Sequence, residues 1–131
     1  MRLRKALWPD CPSERHTLEM NTILSSQGLV LVAEAIDSTL VGFAEVSIRR
    51  DHVDGAGQTP VPYLEGWFVD PGHRAKGIGK ALIKALEKTL LQRGYKELAS
   101  DAEVINSSGI IIHKRLGFKE VGRSVHFIKR L

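Results

Sequence analysis

Cys11 is the only cysteine in the chain, so no internal disulfide can staple it, and with no recognisable partner nearby it reads as an incidental thiol. No apolar run reaches the length of a membrane span, and no signal peptide opens the sequence. The expectation is a cytoplasmic protein that makes no use of a membrane. The five histidines show no metal-ligand spacing, so no metal is expected. A net charge of +4 raises nucleic acid as a partner. The basic residues are scattered, however, from Arg2, Arg4 and Lys5 through Arg49 and Arg50 to Lys129 and Arg130, with no aromatic-interleaved stripe. Nucleic acid is not expected, and the charges outside the middle of the chain read as solvated surface.

What is present is ordinary in amount and distinctive in order. The 131 residues suffice for one domain spanning 1–131, with 43% apolar and 26% charged residues. The organising stretch runs from Val61 to Gln92. Tyr63-Leu64-Glu65-Gly66-Trp67-Phe68-Val69-Asp70 reads as a strand, stopped by Pro71-Gly72. From Ile78, the residues Ile78, Ala81, Leu82, Ala85, Leu86, Thr89 and Leu90 recur at helical spacing, with Lys80, Lys84 and Lys88 towards the other side. Between strand and helix lies Arg74-Ala75-Lys76-Gly77-Ile78-Gly79. Small residues there let several N–H groups converge at a helix N-terminus, beside two basic side chains, which makes an anion site.

Both nucleotide patterns fail on this loop. A Walker loop needs Lys-Ser/Thr after its second glycine, where Ile78-Gly79 follows Gly77. A dinucleotide loop starting at Gly77 needs a small residue at position 82, which is leucine. Arg-x-x-Gly-x-Gly after a strand and opening a helix resembles the pyrophosphate loop of the GCN5-related N-acetyltransferases. That resemblance implies acetyl-coenzyme A as co-substrate, with its diphosphate held by Arg74, Ala75, Lys76, Gly77, Ile78, Gly79 and Lys80. The bland alternative is a glycine-rich turn with no ligand.

The rest of the chain supplies the frame. Met1 to Leu7 reads as the tail of a helix, broken by Trp8-Pro9. A second helix begins at Pro12-Ser13, with Ser13 as its N-cap, and ends at Gln27-Gly28. Leu29 to Ala35 and Leu40 to Ile48 read as an antiparallel hairpin around Asp37-Ser38-Thr39, followed by a flexible loop at Asp54-Gly55-Ala56-Gly57. After the long helix, Tyr95 to Ser100 reads as a strand ending in Asp101, Asn106 to Arg115 as a short helix, and Val125 to Lys129 as a last strand. The fold class is α+β, a three-layer arrangement with a mixed central sheet flanked by helices.

Within that superfamily, Leu7-Trp8-Pro9, the run from Ala44 to Arg49 leading to Pro60 to Gly66, and Ala99-Ser100-Asp101 are similar to the aminoglycoside 6'-N-acetyltransferases. The resemblance implies a polycationic amine as acceptor, with Trp8, Tyr63, Glu65 and Asp101 at its site. Such a substrate calls for carboxylates, both to recognise charge and to take a proton. Asp101 matches the family's substrate-amine carboxylate and is the first candidate base; Glu65 is the second, directly or through a water. Asp10, Asp51, Asp54 and Glu103 are candidate additions to an acidic acceptor site. Each of the two leading carboxylates also has a structural reading, Glu65 as the partner of an arginine or a loop cap, Asp101 as a turn or cap aspartate. Backbone N–H groups near Phe68 and Val69 would hold the acetyl carbonyl if the strand bulges or splays there. Trp67 and Phe68 have an alternative reading as core residues. Asn106 matches the family's coenzyme-contacting asparagine, or is a plain helix cap.

Two departures from the family pattern stand out. The tyrosine that many members use to protonate the leaving thiolate is replaced by His113, which could do the same or lie on the helix surface. The family's opening strand also has no counterpart before Leu7-Trp8-Pro9. That implies a truncated start or a partner chain over the exposed edge, and a homodimer is expected. An acetyltransferase for another amine or a protein N-terminus, and a coenzyme-binding protein without turnover, stay open as alternatives.

Overall fold

The computed structural model describes all residues from Met1 to Leu131, in two compact units, Met1–Asp101 and Ala102–Leu131. The first holds helices α1 (Arg2–Leu7), α2 (Ser13–Ser25) and α3 (Ile78–Gln92) and strands β1 (Leu29–Glu34), β2 (Leu40–Arg49), β3 (Val61–Val69) and β4 (Ala99–Ser100). The sheet runs β1-β2-β3-β4 in space. The first two pairings are antiparallel and β3–β4 is parallel, with α3 forming the crossover. A mixed sheet follows, as expected.

Alternation along β2 sorts the layers. Phe43 and Glu45 point to one face, where they meet Trp8 and Arg4 of the α1–α2 segment. Gly42 points to the other, where a Cβ would lie 3.3 Å from Leu82 of α3. Helices therefore cover both faces. The core is built from Val41, Ala44, Val46 and Leu64 of the sheet with Leu82, Ile83, Leu86 and Leu90 of α3. Full burial of each such aliphatic side chain stabilises the fold by about 1.5–3 kcal/mol.

The stripe that α3 buries differs from the one its periodicity suggested. Ile83 is fully buried, whereas Ala81 and Ala85 are exposed. The reason is Gly79, which sits against the Trp67 ring closely enough that a Cβ would lie 3.1 Å from it. That approach turns the line through residues 79, 83, 86 and 90 towards the sheet. Trp67 and Phe68 are both half-buried, so neither belongs to the fully buried core.

Two other boundaries moved. The cap position of α2 falls on Pro12, with no side-chain bond, and Ser13 is the first helical residue. β4 is confined to Ala99–Ser100, because the ladder with β3 exists only at Tyr63–Ala99 and Leu64–Ser100. Beyond that point β3 carries an extra residue: Glu45 faces Gly66 and Val46 faces Leu64, which leaves Glu65 as a bulge.

The second unit contains α4 (Ser107–Arg115) and a segment from Phe118 to Leu131 without helix or strand. The expected strand at Val125 to Lys129 is not formed. Its branched and aromatic residues favour a strand, but a strand is made by a ladder, and this stretch joins none.

Candidate functional site

Gly77 is the N-cap of α3 in the left-handed region at φ +80, and Ala75 before it has φ +62. This alternation folds the loop back so that the first helical N–H groups, at Ile78, Gly79 and Lys80, point outward from the helix start. The first intrahelical bond is Ala81 N–H to the Gly77 carbonyl, 2.9 Å, and no side chain caps the end. A helix start with outward donors and the positive end of its dipole fits a diphosphate. Arg74 ties the loop to the sheet: its Nε donates to the Val69 carbonyl at 2.8 Å and its guanidinium lies over the Phe68 ring. The Trp67 indole N–H donates to the Gly79 carbonyl at 3.2 Å and anchors the other side.

The end of β3 beside this loop opens on one side. Asp70 N–H donates to the Val41 carbonyl at 2.8 Å. Because successive residues of an antiparallel strand point their backbone groups to opposite sides, Phe68 faces β2 as Asp70 does, while Trp67 and Val69 face away. On that side the β4 ladder has already ended at Leu64. Of the two positions expected to offer a donor, the geometry singles out Val69. The irregularity in the strand lies earlier than expected, at Glu65.

Asp101 follows directly on β4, at the carboxyl end of the strand and exposed. The Tyr63 hydroxyl donates to its Oδ2 at 2.5 Å. Burial, and then the bond to Asp101, push the Tyr63 phenol well above its ordinary pKa, so it remains a donor. Tyr63 itself is buried and packs with Val53 and Val61 under the β2–β3 loop. That loop is tied down by Gly57 N–H donating to Glu97 at 2.8 Å.

Glu65 is not a bare carboxylate. Arg49 grips it with two parallel bonds, Nε to Oε1 and Nη2 to Oε2, both 2.9 Å, and the Ser47 hydroxyl donates to Oε1 at 2.6 Å. The Arg49 guanidinium lies 3.4 Å from the centroid of the Tyr63 ring. The Glu65 bonds hold its pKa above the ordinary value. The arginine-partner reading of Glu65 is therefore the geometry observed, and Arg49 is not merely solvated surface. It was missed because a charged residue at a strand end looks like solvent-facing decoration. The available signal was alternation: Ser47 and Arg49 share one face of β2, Tyr63 and Glu65 are two apart on β3, and Ser47 pairs directly with Tyr63.

Trp8 stands at the end of α1, half-buried, edge-on to Phe43 and beneath the Arg4 guanidinium at 4.7 Å. Gly66 makes room for it, since a Cβ there would lie 2.5 Å from the indole. Asp10, Asp51 and Asp54 are exposed, and Asp54 pairs with His52 at 3.2 Å.

In the second unit, Asn106 is the N-cap of α4, its Oδ1 accepting from Gly109 N–H at 3.0 Å. His113 Nδ1 lies 2.7 Å from the Gly109 carbonyl. A carbonyl only accepts, so Nδ1 carries a proton and a further proton would enter at Nε2. The ring stacks edge-on to Phe118.

The model of the Acetyltransferase (GNAT) family matches residues 1–118. The chain belongs to that family. It is 38% identical over 128 residues to an aminoglycoside N(6')-acetyltransferase type 1 of Salmonella typhimurium, covering 98% of this chain and 88% of the relative. A protein of the same name from Stenotrophomonas maltophilia is 39% identical, over 95% of this chain and 81% of that one. Among solved structures, AAC(6')-Iy in complex with the bisubstrate analogue CoA-S-monomethyl-acetylneamine superposes with a TM-score of 0.88 at 38% identity, covering 98% of this chain and 88% of that one. The apo 6'-N-acetyltransferase AAC(6')-IG from Acinetobacter haemolyticus gives 0.87 at 35%, with 99% and 89% covered. This GNAT chain thus has the acetyltransferase fold its loop motif implied.

Proposed function

We propose that this GNAT chain is an aminoglycoside 6'-N-acetyltransferase, which moves an acetyl group from acetyl-coenzyme A to an amine of the drug and so confers resistance. The observation that carries the reading is an exposed carboxylate, Asp101, held by Tyr63 at 2.5 Å where β4 leaves β3. The relatives' names and their similarity over nearly the whole chain support the same acceptor class. The thioester supplies the activated acyl group, and the chain's residues bind, orient and move protons. Arg74 and the loop through Lys80 hold the diphosphate, joined by Asn106 on the coenzyme arm. Val69 N–H, rather than the Phe68 N–H that faces β2, polarises the acetyl carbonyl and stabilises the oxyanion.

Asp101 binds the acceptor amine and takes its proton as the nitrogen attacks. The C–N bond forms, the C–S bond breaks, and the thiolate takes a proton from His113. Trp8 and Tyr63 line the acceptor site, and Glu65, held on both oxygens by Arg49, supports it without serving as the base. The two compact units act as one domain, a reading supported by a family match that runs across both. A cytoplasmic location is supported by the use of a coenzyme A thioester. A homodimer is supported by the outer edge of β1, against which no strand lies. The test is product analysis with kanamycin: a mass gain of one acetyl group, located on the 6'-nitrogen by NMR, is expected. Acetylation at another nitrogen, or none, contradicts the reading.

A further inference from the structure

Four side chains from two strands, β2 and β3, make one connected network beside Asp101. Ser47 and Arg49 hold Glu65 on the bulge; Arg49 lies over the Tyr63 ring; Tyr63 donates to Asp101. Each link is directional. A guanidinium bonded through Nε and Nη2 to one carboxylate has its plane fixed, and a plane 3.4 Å from an aromatic centroid fixes how that ring can tilt. The ring tilt in turn decides where the phenol proton points. Tyr63 also packs with Val53 and Val61, so its ring has little freedom left once Arg49 is in place.

We propose that Arg49 is a positioning residue for acetyl transfer, acting through Tyr63 to aim the Asp101 carboxylate. It also neutralises Glu65, which leaves Asp101 as the carboxylate of this network without a cationic partner bonded to it. This inference rests on the reading of Asp101 as the base. Its consequence for specificity is concrete: the acceptor's ammonium group is drawn to Asp101 rather than shared between two carboxylates. The Arg49–Glu65 pair is a clamp, and its value lies in geometry more than in charge.

The experiment is a double-mutant cycle on kcat with kanamycin as acceptor, using Arg49→Gln, Arg49→Lys, Tyr63→Phe and the two combinations, with melting temperature measured for each. A misaimed catalytic group costs on the order of 10- to 100-fold. Arg49→Gln is expected to lower kcat by about that range, leaving the KM for acetyl-coenzyme A within about twofold. In the Tyr63→Phe background the same change should cost less than about twofold, because the link it acts through is already gone. Arg49→Lys keeps the charge but not the fork or the planar group over the ring, so it should resemble Arg49→Gln. Full activity in Arg49→Lys, or equal losses in both backgrounds, overturns the proposal while leaving the Asp101 reading intact. Wild-type protein that binds acetyl-coenzyme A without acetylating kanamycin overturns both. Variants with lowered melting temperature remain informative through the cycle, since loss by unfolding would be equal in both backgrounds and would count against the proposal.

Discussion

A carboxylate serves as a base only if an oxygen faces the proton it must take. Asp101 gives Oδ2 to the Tyr63 hydroxyl and leaves its other oxygen for a substrate amine. Glu65 is committed on both oxygens to Arg49. Replacing Glu65 by Gln should therefore lower kcat by less than about tenfold, well short of the 10²–10⁴ that removal of a general base costs. Initial-rate kinetics with kanamycin checks this. His113 makes a second prediction. If His113 donates the proton that the leaving thiolate takes, His113→Gln should lower kcat by about 10²–10⁴ while leaving the KM for acetyl-coenzyme A within about twofold, as initial-rate kinetics would show. At this scale the sequence named Asp101 and Glu65 by residue type and position. It did not reveal the Arg49 partnership, which depends on a strand register that brings residues 16 apart together.

Among the elements, the strand–loop–helix unit from Val61 to Gln92 was legible because its signals agree. Branched and aromatic residues, a proline stop, small loop residues and a helical apolar period all point the same way. Gly77 tests the loop directly. Its φ of +80 favours glycine, yet a Cβ there would meet nothing within 4 Å. Gly77→Ala should thus cost about 1–2 kcal/mol through backbone strain alone. It should also weaken acetyl-coenzyme A binding, read by thermal shift and by titration. Gly72→Ala, where the space is equally open and φ is not in that region, should change neither. The terminal stretch from Val125 was misread for the opposite reason. Its pattern carried propensity, and propensity does not supply a partner strand. The short β4 has a related cause, since the bulge at Glu65 depends on cross-strand register, which no local pattern encodes.

Across the first unit as a whole, α1, α2 and the sheet are joined through a buried charge network. Arg4 bridges Glu45 at 3.3 Å and Glu19 at 2.7 Å. Burial pushes the Glu45 carboxyl above its ordinary pKa, opposed by Arg4. A raised native pKa means that the folded state holds the proton more tightly than the unfolded chain does. Its stabilising share is full below the unfolded value and is lost as pH rises through the folded one. The stability of wild type relative to Glu45→Gln should therefore decline as pH increases from about 4.5 towards neutrality, as urea midpoints would show. A difference that grows with pH would place the charged Glu45 among the stabilising contacts instead. The three-layer arrangement was readable from the order of strands and helices. This ion network was not, because Arg4, Glu19 and Glu45 each look like surface charge in the sequence.

The account as a whole depends on one carboxylate acting on one class of amine. The most direct measurement is thiol release from acetyl-coenzyme A by purified protein with kanamycin, tobramycin or no acceptor, in wild type and in Asp101→Asn. Drug-dependent release in wild type is expected, with kcat reduced by about 10²–10⁴ in the variant and acetyl-coenzyme A binding retained. Release that does not depend on the drug, or an Asp101→Asn enzyme as fast as wild type, would contradict it.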